Sequence, residues 1–468
     1  VSRRFGRDVG WLWAGYAGRA LVYLGLVVVL TRALGAAGFG QLSLFLAVTL
    51  GVSQVAGSWP FLAVPVLSAH GRSIGAAFRP SAYVAAMATA GSLVIALPIS
   101  FLIHSRAPTS LASVVGYSVA LVALQGIYSV LQTEGRMSGI ALVQTGERGT
   151  ALILALAVSG LSTLTVLGSE VLLAIASIGT CVVAYATIGS RQRLLKGDGG
   201  DLPDHLVSTV MRAVGAMGIV SVCAYGVAWV DVFILAAFKS NADVGVYSLA
   251  YQVFTFIVQL GSLWVVAALP RHAKSTAAGG SIAAQLPIGR LLSAAAFWAA
   301  IVTATAVGAA VVLPHAFGAE FDSAYTPLMV LLAGSGIGAA GYFLVLPALI
   351  ASKNGALIAK VSVVAVAINL TLDVLLVPGL GVLGPAIATV AQTLFATAAL
   401  CIFAVGPRLS LRLFAVGVPG ALGVTLLAID PTAVPFMAVA ALTAVLSALL
   451  AMELNRRREP GASDAVGL

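Results

Sequence analysis

Apolar stretches of about twenty residues or more follow one another along the whole chain, separated by short groups of Gly, Pro and charged residues. Each is long enough to cross a hydrocarbon layer of roughly 30 Å as a helix. The punctuation predicts fourteen spans, beginning near Trp11, Gln41, Ser81, Leu111, Ser138, Val166, Arg212, Ala242, Arg290, Tyr325, Gly355, Val382, Leu411 and Val434. The first, Trp11 to Ala33, is too long for the apolar core of a signal peptide and has no small-x-small cleavage site, so a retained helix is expected.

The pattern repeats. With the chain shifted by 205 residues against itself, Gly40, Gln54, Trp59 and Pro65 fall on Gly245, Gln259, Trp264 and Pro270 without a gap, within a longer register of Val, Leu, Ala and Ser identities. Spans 1 and 2 are thereby echoed by spans 7 and 8. A fainter echo at offset 218 places Leu131, Ile140, Ala141 and Val143 on Leu349, Ile358, Ala359 and Val361, equating spans 5 and 11. Copies separated by six crossings share one orientation, so the repeat is parallel and its pseudo-two-fold axis lies along the membrane normal. The expected fold is an all-α polytopic membrane protein of about fourteen transmembrane helices. A first six-helix lobe spans residues 1–190, a cytoplasmic linker 191–211 and a second lobe 212–406; two extra helices (407–454) and a cytoplasmic tail (455–468) follow. Both Trp–Pro segments are expected to break or end their helices, because Pro removes a backbone donor and clashes with the preceding turn.

Composition agrees: 60% of the 468 residues are hydrophobic, 9% are charged and the mean hydropathy is +1.06, which excludes a water-soluble fold. Nineteen of the 25 Lys and Arg fall in connections on one side of the membrane. By the positive-inside rule that side, with both termini, is cytoplasmic. The net charge of +9 then reflects orientation and contact with anionic lipid rather than nucleic-acid binding, for which there is no aromatic-basic module. Cys181, Cys223 and Cys401 sit singly in apolar runs and imply neither a disulfide framework nor a metal site.

Polar groups inside the spans carry the functional signal. In span 8, Ser248, Gln252, Thr255, Gln259 and Ser262 recur every three or four residues and so share one face, either a wet cavity wall or interhelical glue. In span 1, Tyr16, Arg19 and Tyr23 also share a face. Arg19 lies about 12 Å beyond Trp11 at 1.5 Å per residue, deep enough to require a partner or an aqueous path. Span 5 carries Gln144, Glu147 and Arg148, whose acid and base either pair locally or serve a ligand. Lys360 in span 11 either lines a cavity or snorkels to the interface. Asp231 in span 7 either caps a broken helix or binds a coupling cation, and Asp373, five residues before Pro378, is expected at the outer interface.

Three function classes compete. Deep cations would receive the phosphates of a large anionic amphiphile, while Tyr and Gln suit sugar hydroxyls. A cation or drug antiporter should place carboxylates in the first spans, yet spans 1 to 4 hold none. A membrane enzyme would need a reactive set on a substantial loop, and no His-Asp or paired-Asp constellation is present. Without a P-loop signature, ATP is not expected to drive the cycle directly.

Four stretches resemble a known family: TRALGAAGFGQLSL (31–44), VDVFILAAFKSNADVGVYSLAYQVFTFIVQLGSLWVVAALPR (230–271), AFGAEFDSAYTPLMVLLAG (316–334) and NLTLDVLLVPGLGVLGPAIATVAQ (369–392). They are similar to O-antigen-type polysaccharide flippases of the multidrug, oligosaccharidyl-lipid and polysaccharide exporter superfamily, to which the lipid II flippases also belong. The resemblance implies two six-helix lobes around a cationic cavity that moves an undecaprenyl- or decaprenyl-diphosphate-linked oligosaccharide across the cytoplasmic (inner) membrane by alternating access. The alternatives within the superfamily are a lipid II-type precursor or a cation-coupled antiport of small molecules. On this reading Arg19, Tyr16, Tyr23, Arg148, Lys360, Gln252, Thr255 and Gln259 bind substrate. Asp231, Glu147, Trp59 and Trp264 serve coupling or gating, with proton or sodium as the coupling ion and no cofactor. Membrane lipids, a polysaccharide polymerase and glycosyltransferases are the expected partners, and no nucleic acid is.

Arg19→Ala is expected to abolish transport while leaving the protein inserted, and Arg19→Lys to retain part of it, since Lys keeps the charge but loses the bidentate fork. Complementation by the alanine variant at the wild-type level would remove Arg19 from this role.

Overall fold

The computed structural model describes residues 2–69, 73–104, 110–161, 163–187, 206–277, 288–352 and 354–429. Its first helical run, Ser2–Ala69, is interrupted at Gly35 (φ 65°, ψ 178°), a conformation that glycine reaches without a side-chain penalty. The run is therefore two helices, α1 (residues 2–34) and α2 (residues 36–69). They are followed by α3 (Ile74–His104), α4 (Leu111–Thr133), α5 (Met137–Leu161), α6 (Val166–Thr187), α7 (Leu206–Phe238), α8 (Asn241–Ala277) and α9 (Ile288–Ala316). After a short 3-10 turn, Ala319–Ala324, come α10 (Tyr325–Ala351), α11 (Gly355–Leu380), α12 (Leu383–Val405) and α13 (Pro407–Ile429).

Thirteen of the expected spans thus have a described helix, and the fourteenth, from Val434, lies outside the described residues. Eight described stretches are long and apolar enough to cross a membrane, or nine if the bent pair 319–338 and 342–351 is one span. Gly15–Ser68 counts once there although it holds both α1 and α2. The chain is a multi-pass membrane protein. Several helices begin ahead of their apolar runs, α3 at Ile74 and α7 at Leu206, because hydropathy marks the lipid-crossing part of a helix and not its end.

Local chemistry sets the turns. Ser240 and Asp243 form a capping box at the start of α8: the Ser240 amide and hydroxyl donate to Asp243 Oδ2 at 3.1 and 2.6 Å, and the Asp243 amide donates to Ser240 Oγ at 3.2 Å. At the end of α4, Gly135 (φ 70°) and Arg136 donate to the Gln132 and Leu131 carbonyls, the paired bonds of a Schellman motif.

The chain divides into two compact units, Val1–Ser248 and Leu249–Leu468, with the division inside α8. Much of the expected cytoplasmic linker, and all of the expected tail, lie outside the described residues. In the first unit α2 is the hub. A Cβ on Gly40 would run into the Asn241 carbonyl, and a Cβ on Gly245 would run into the Ala36 carbonyl. Ala36 and Asn241 are themselves 205 residues apart, so the contact is reciprocal under the sequence repeat. Farther along α2, the Tyr225 hydroxyl of α7 donates to the Ala47 carbonyl at 2.7 Å, and the Trp59 indole lies against Gly218 of α7. Trp59 also borders a core of Ala63, Val64, Leu67, Ala77, Val84, Val210 and Val214 joining α2, α3 and α7.

The Trp–Pro segments correct an expectation. Helix α2 continues through Pro60 and Pro65 to Ala69, and the α8 backbone continues through Pro270 to Ala277. All three prolines lie within their helices, and none breaks its helix, because in membrane spans neighbouring groups and small local adjustments satisfy the backbone groups that a proline frees. In the second unit α10 packs against α12 and α13, while α11 and α12 form a hairpin about Gly381 (φ 57°).

The reciprocal glycine contact predicts that Gly40→Val and Gly245→Val each lower thermal stability in detergent, by about 1–3 kcal/mol, the usual cost of forcing atoms into a packed contact. Ala37→Val, on the exposed side of the same turn, should leave the melting temperature unchanged. Equal melting temperatures for all three variants would contradict the contact.

Candidate functional site

Helices α1 and α5 run parallel with α5 offset by about 127 residues. A Cβ on Gly15 would strike Ala141, the Thr145 hydroxyl donates to the Gly15 carbonyl at 3.2 Å, and Gly25 sits over Leu152. Small residues allow this approach, and the register it sets brings Tyr23 to Arg148. The Arg148 guanidinium carbon lies 5.0 Å from the Tyr23 ring centroid, a cation–π distance. Its Nη1 donates to the Tyr117 hydroxyl of α4 at 3.3 Å. Its Nη2 stands 3.9 Å from Glu147 Oε1, which accepts a hydrogen bond from the Ser177 hydroxyl of α6 at 2.9 Å. Tyr117 in turn stacks on Phe45 of α2, with centroids 5.7 Å apart and planes at 18°.

Four helices therefore close a buried, near-neutral knot around Arg148, and five contribute once Phe45 is counted. Glu147 and Arg148 are 5% and 8% exposed, so the charge is held by its neighbours and not by water. At 3.9 Å the ion pair is Coulombic contact without a hydrogen bond. Of the two readings open for span 5, the structure has the local pair.

Arg19 is placed differently. It lies half-buried on α1 beside the buried Tyr16, and no described carboxylate pairs with it. Tyr23 lies under the Arg148 guanidinium and also feels the charge of Arg19, as Tyr16 does, so the face expected to hold Tyr16, Arg19 and Tyr23 adjoins the Arg148 knot. In α8, Ser248 and Gln252 are buried while Thr255 and Gln259 are half-buried. The Thr255 hydroxyl donates back to the Tyr251 carbonyl at 2.7 Å. The side chains of Ser262 and Trp264 lie outside the described residues. Trp59 fills space between α2 and α7. Lys360 is exposed on the side of α11 that also carries Val364, Ala367 and Val374.

Asp231 is fully buried in the first unit and accepts a hydrogen bond from the Tyr247 hydroxyl of α8 at 2.5 Å. It caps no helix end, because α7 continues past it to Phe238. Asp373, expected at the outer interface, is fully buried within the protein, one turn from the buried Asn369 on the face of α11 that meets α12. Sequence reasoning also passed over Tyr117, Ser177, Tyr247 and Glu170. Glu170 is fully buried and accepts from the Ser110 amide at the start of α4 at 3.0 Å. The one available signal was a polar residue in an otherwise apolar run, which by default marks function or interhelical bonding.

Removing one member of a buried pair strands the other, typically at about 3–5 kcal/mol. Glu147→Gln and Arg148→Met should each lower the melting temperature more than the double variant does. Additive losses in this double-mutant cycle would show that the two groups act independently.

The comparisons with known proteins fit this geometry. The structure is similar over nearly its whole length to the lipid II flippase MurJ in an inward closed conformation, with a TM-score of 0.68 at 12% identity, covering 96% of this chain and 99% of that one. It is also similar to an inward-facing multidrug resistance MATE family transporter of the MOP superfamily, with a TM-score of 0.57 at 15% identity over 85% and 95% of the two chains. For a mutant form of the Vibrio cholerae MATE transporter VcmN the TM-score is 0.51 at 14% identity, over 88% and 100%. These likenesses establish the fold, which is that of membrane transporters and flippases. No curated protein matches the sequence. The sequence profile described as polysaccharide biosynthesis protein matches residues 5–276, more than half of the chain, and the protein accordingly belongs to the polysaccharide biosynthesis protein family.

Proposed function

We propose that this protein is a flippase that carries a polyprenyl-diphosphate-linked oligosaccharide from the cytoplasmic to the outer leaflet of the cytoplasmic membrane by alternating access, supplying cell-surface polysaccharide biosynthesis. The observation that carries the reading is the contrast between the two deep arginines of the first unit. Arg148 is neutralised by Glu147 and enclosed by Tyr23 and Tyr117, whereas Arg19 is half-buried with no described carboxylate beside it. A guanidinium kept at depth without a counter-charge suits an anionic ligand, and its fork suits phosphate oxygens in particular. Tyr16 and the half-buried Thr255 and Gln259 supply hydroxyl and amide groups suited to sugars.

Arg148 then contributes the rigidity of the α1, α4 and α5 wall more than charge, and Lys360, exposed on α11, is the cation that the second unit offers. Asp231, with its hydroxyl donor Tyr247, is the candidate for the coupling ion, proton or sodium, because a buried carboxylate in a membrane span is a site for cations by default. On this reading, which rests on the positive-inside rule, both termini are cytoplasmic, and a polysaccharide polymerase and glycosyltransferases are the expected neighbours in the pathway.

The test is reconstitution in proteoliposomes with fluorescent lipid-linked oligosaccharides of several kinds. Leaflet exchange of a polyprenyl-diphosphate oligosaccharide is expected, and its abolition in Arg19→Ala, a loss of at least about 10–100-fold as for loss of hydrogen bonds to a charged group. Exchange confined to lipid II would reassign the cargo to the peptidoglycan precursor. No exchange of any lipid-linked sugar, with ion-coupled movement of small cations instead, would make the protein an antiporter.

A further inference from the structure

The first unit holds a second feature that the transport reading does not use. A groove of about 1270 Å³ runs between α3, α4 and α6, with the buried Pro60 of α2 at its floor. Along α3 its wall extends from Phe78 to Leu93, about 22 Å at 1.5 Å per residue. That length exceeds half the thickness of a bilayer's hydrocarbon core, which is roughly 30 Å across. The wall of α3 includes four alanines, and Ala86, Ala90, Ala123 and Val182 are exposed along the opening.

The two ends of the groove differ. Helices α4 and α6 are parallel and offset by 60 residues, as the Ser110–Glu170 bond and the level shared by Tyr117 and Ser177 beside the Glu147–Arg148 pair establish. Tyr185 therefore stands level with Gln125, and Gly126 beside it packs on Phe78 of α3. Arg79, Tyr83 and Tyr185, all exposed, consequently lie toward one end, and Arg79 is the only charged residue among those lining the groove. The rest is apolar except for Thr89 and Cys181.

We propose that this groove is a binding site for an anionic phospholipid of the leaflet on the Arg79 side. Its acyl chains lie along α3, and its phosphate rests on Arg79 with Tyr83 and Tyr185 donating to it. The volume exceeds the roughly 300–1,000 Å³ of small-molecule pockets, and an apolar trough ending in one cation matches an amphiphile with long chains and a compact negative head. A lipid-linked oligosaccharide fits less well, because its sugars would need a polar wall and this end offers three polar side chains. Such a lipid would wedge α3 away from α4 and α6 and so tune how the first unit moves.

Native mass spectrometry of the full chain in detergent, with palmitoyl-oleoyl phosphatidylglycerol and the matching phosphatidylcholine as competing probes, tests the assignment independently of transport. Wild-type protein should retain one phosphatidylglycerol with about fivefold preference, the weight of one basic residue near an anionic headgroup. Arg79→Gln should keep a bound lipid but lose the preference. Ala86→Trp, which fills the trough from an exposed position, should lose the lipid, and Ala123→Trp on the opposite wall should do the same. Equal retention of the two lipids by wild type, or retention unchanged in both tryptophan variants, would overturn the proposal. Displacement of phosphatidylglycerol by equimolar undecaprenyl phosphate, sensitive to the same substitutions, would also overturn it and make the groove a seat for the substrate's tail.

Discussion

The first unit depends on two helices touching without side chains between them. At Gly40 and Gly245 the backbones of α2 and α8 come so close that either Cβ would strike the other helix's carbonyl, at the residue one turn earlier in each case. In a membrane, where lipid is as apolar as any leucine, helices associate through close packing and hydrogen bonds more than through burial of apolar surface. A glycine at each helix start is thus the cheapest way to hold the crossing. The rest of α2 then has fixed neighbours: Ala47 receives the Tyr225 hydroxyl, Gly57 meets Gln125, and Trp59 lies on Gly218. Because the crossing obeys the same 205-residue offset as the sequence, the repeat is visible as a local two-fold contact as well as a pattern of letters.

The second constraint is charge. An arginine within a membrane span costs about 2.5–3.5 kcal/mol on insertion scales, and the protein carries two such residues in different ways. Arg148 is offset by Glu147, one phenol ring and one phenol hydroxyl, each from a different neighbour, so it stiffens the wall that α1, α4 and α5 make. Arg19, on the same wall, has no such carboxylate among the described residues. One arginine locked by its neighbours and another without a described carboxylate is the arrangement expected of a site that must bind an anion and release it again.

Much of this was legible in the sequence, and what was not follows a rule. Span order and the Gly40–Gly245 repeat depend on composition and spacing along one chain, which survive without knowledge of partners. The division of labour between Tyr16 and Tyr23 did not show, since their shared helical face is real but the register of α1 on α5, set by Gly15 against Ala141, decides which ring meets Arg148. The burial of Asp373, Ser248 and Gln252 did not show for a related reason. In a soluble protein the apolar face of a helix points inward, but here both lipid and core are apolar, so polarity does not tell a buried residue from an exposed one. The prolines of α2 and α8 are a further case: proline breaks soluble helices, but within a membrane span neighbouring groups satisfy the backbone it frees.

The central claim, that α2 and α8 cross in backbone contact under the repeat, is tested most directly by thiol crosslinking in native membranes. In a chain with Cys181, Cys223 and Cys401 replaced, Ala36→Cys and Asn241→Cys would stand one turn to either side of the glycine contact. Intramolecular bridging of this pair by a short bis-maleimide, which does not need the close Cα approach of a disulfide, is the predicted result. Failure of the pair to crosslink in any state of a properly inserted protein would contradict the crossing and the two-fold contact built on it.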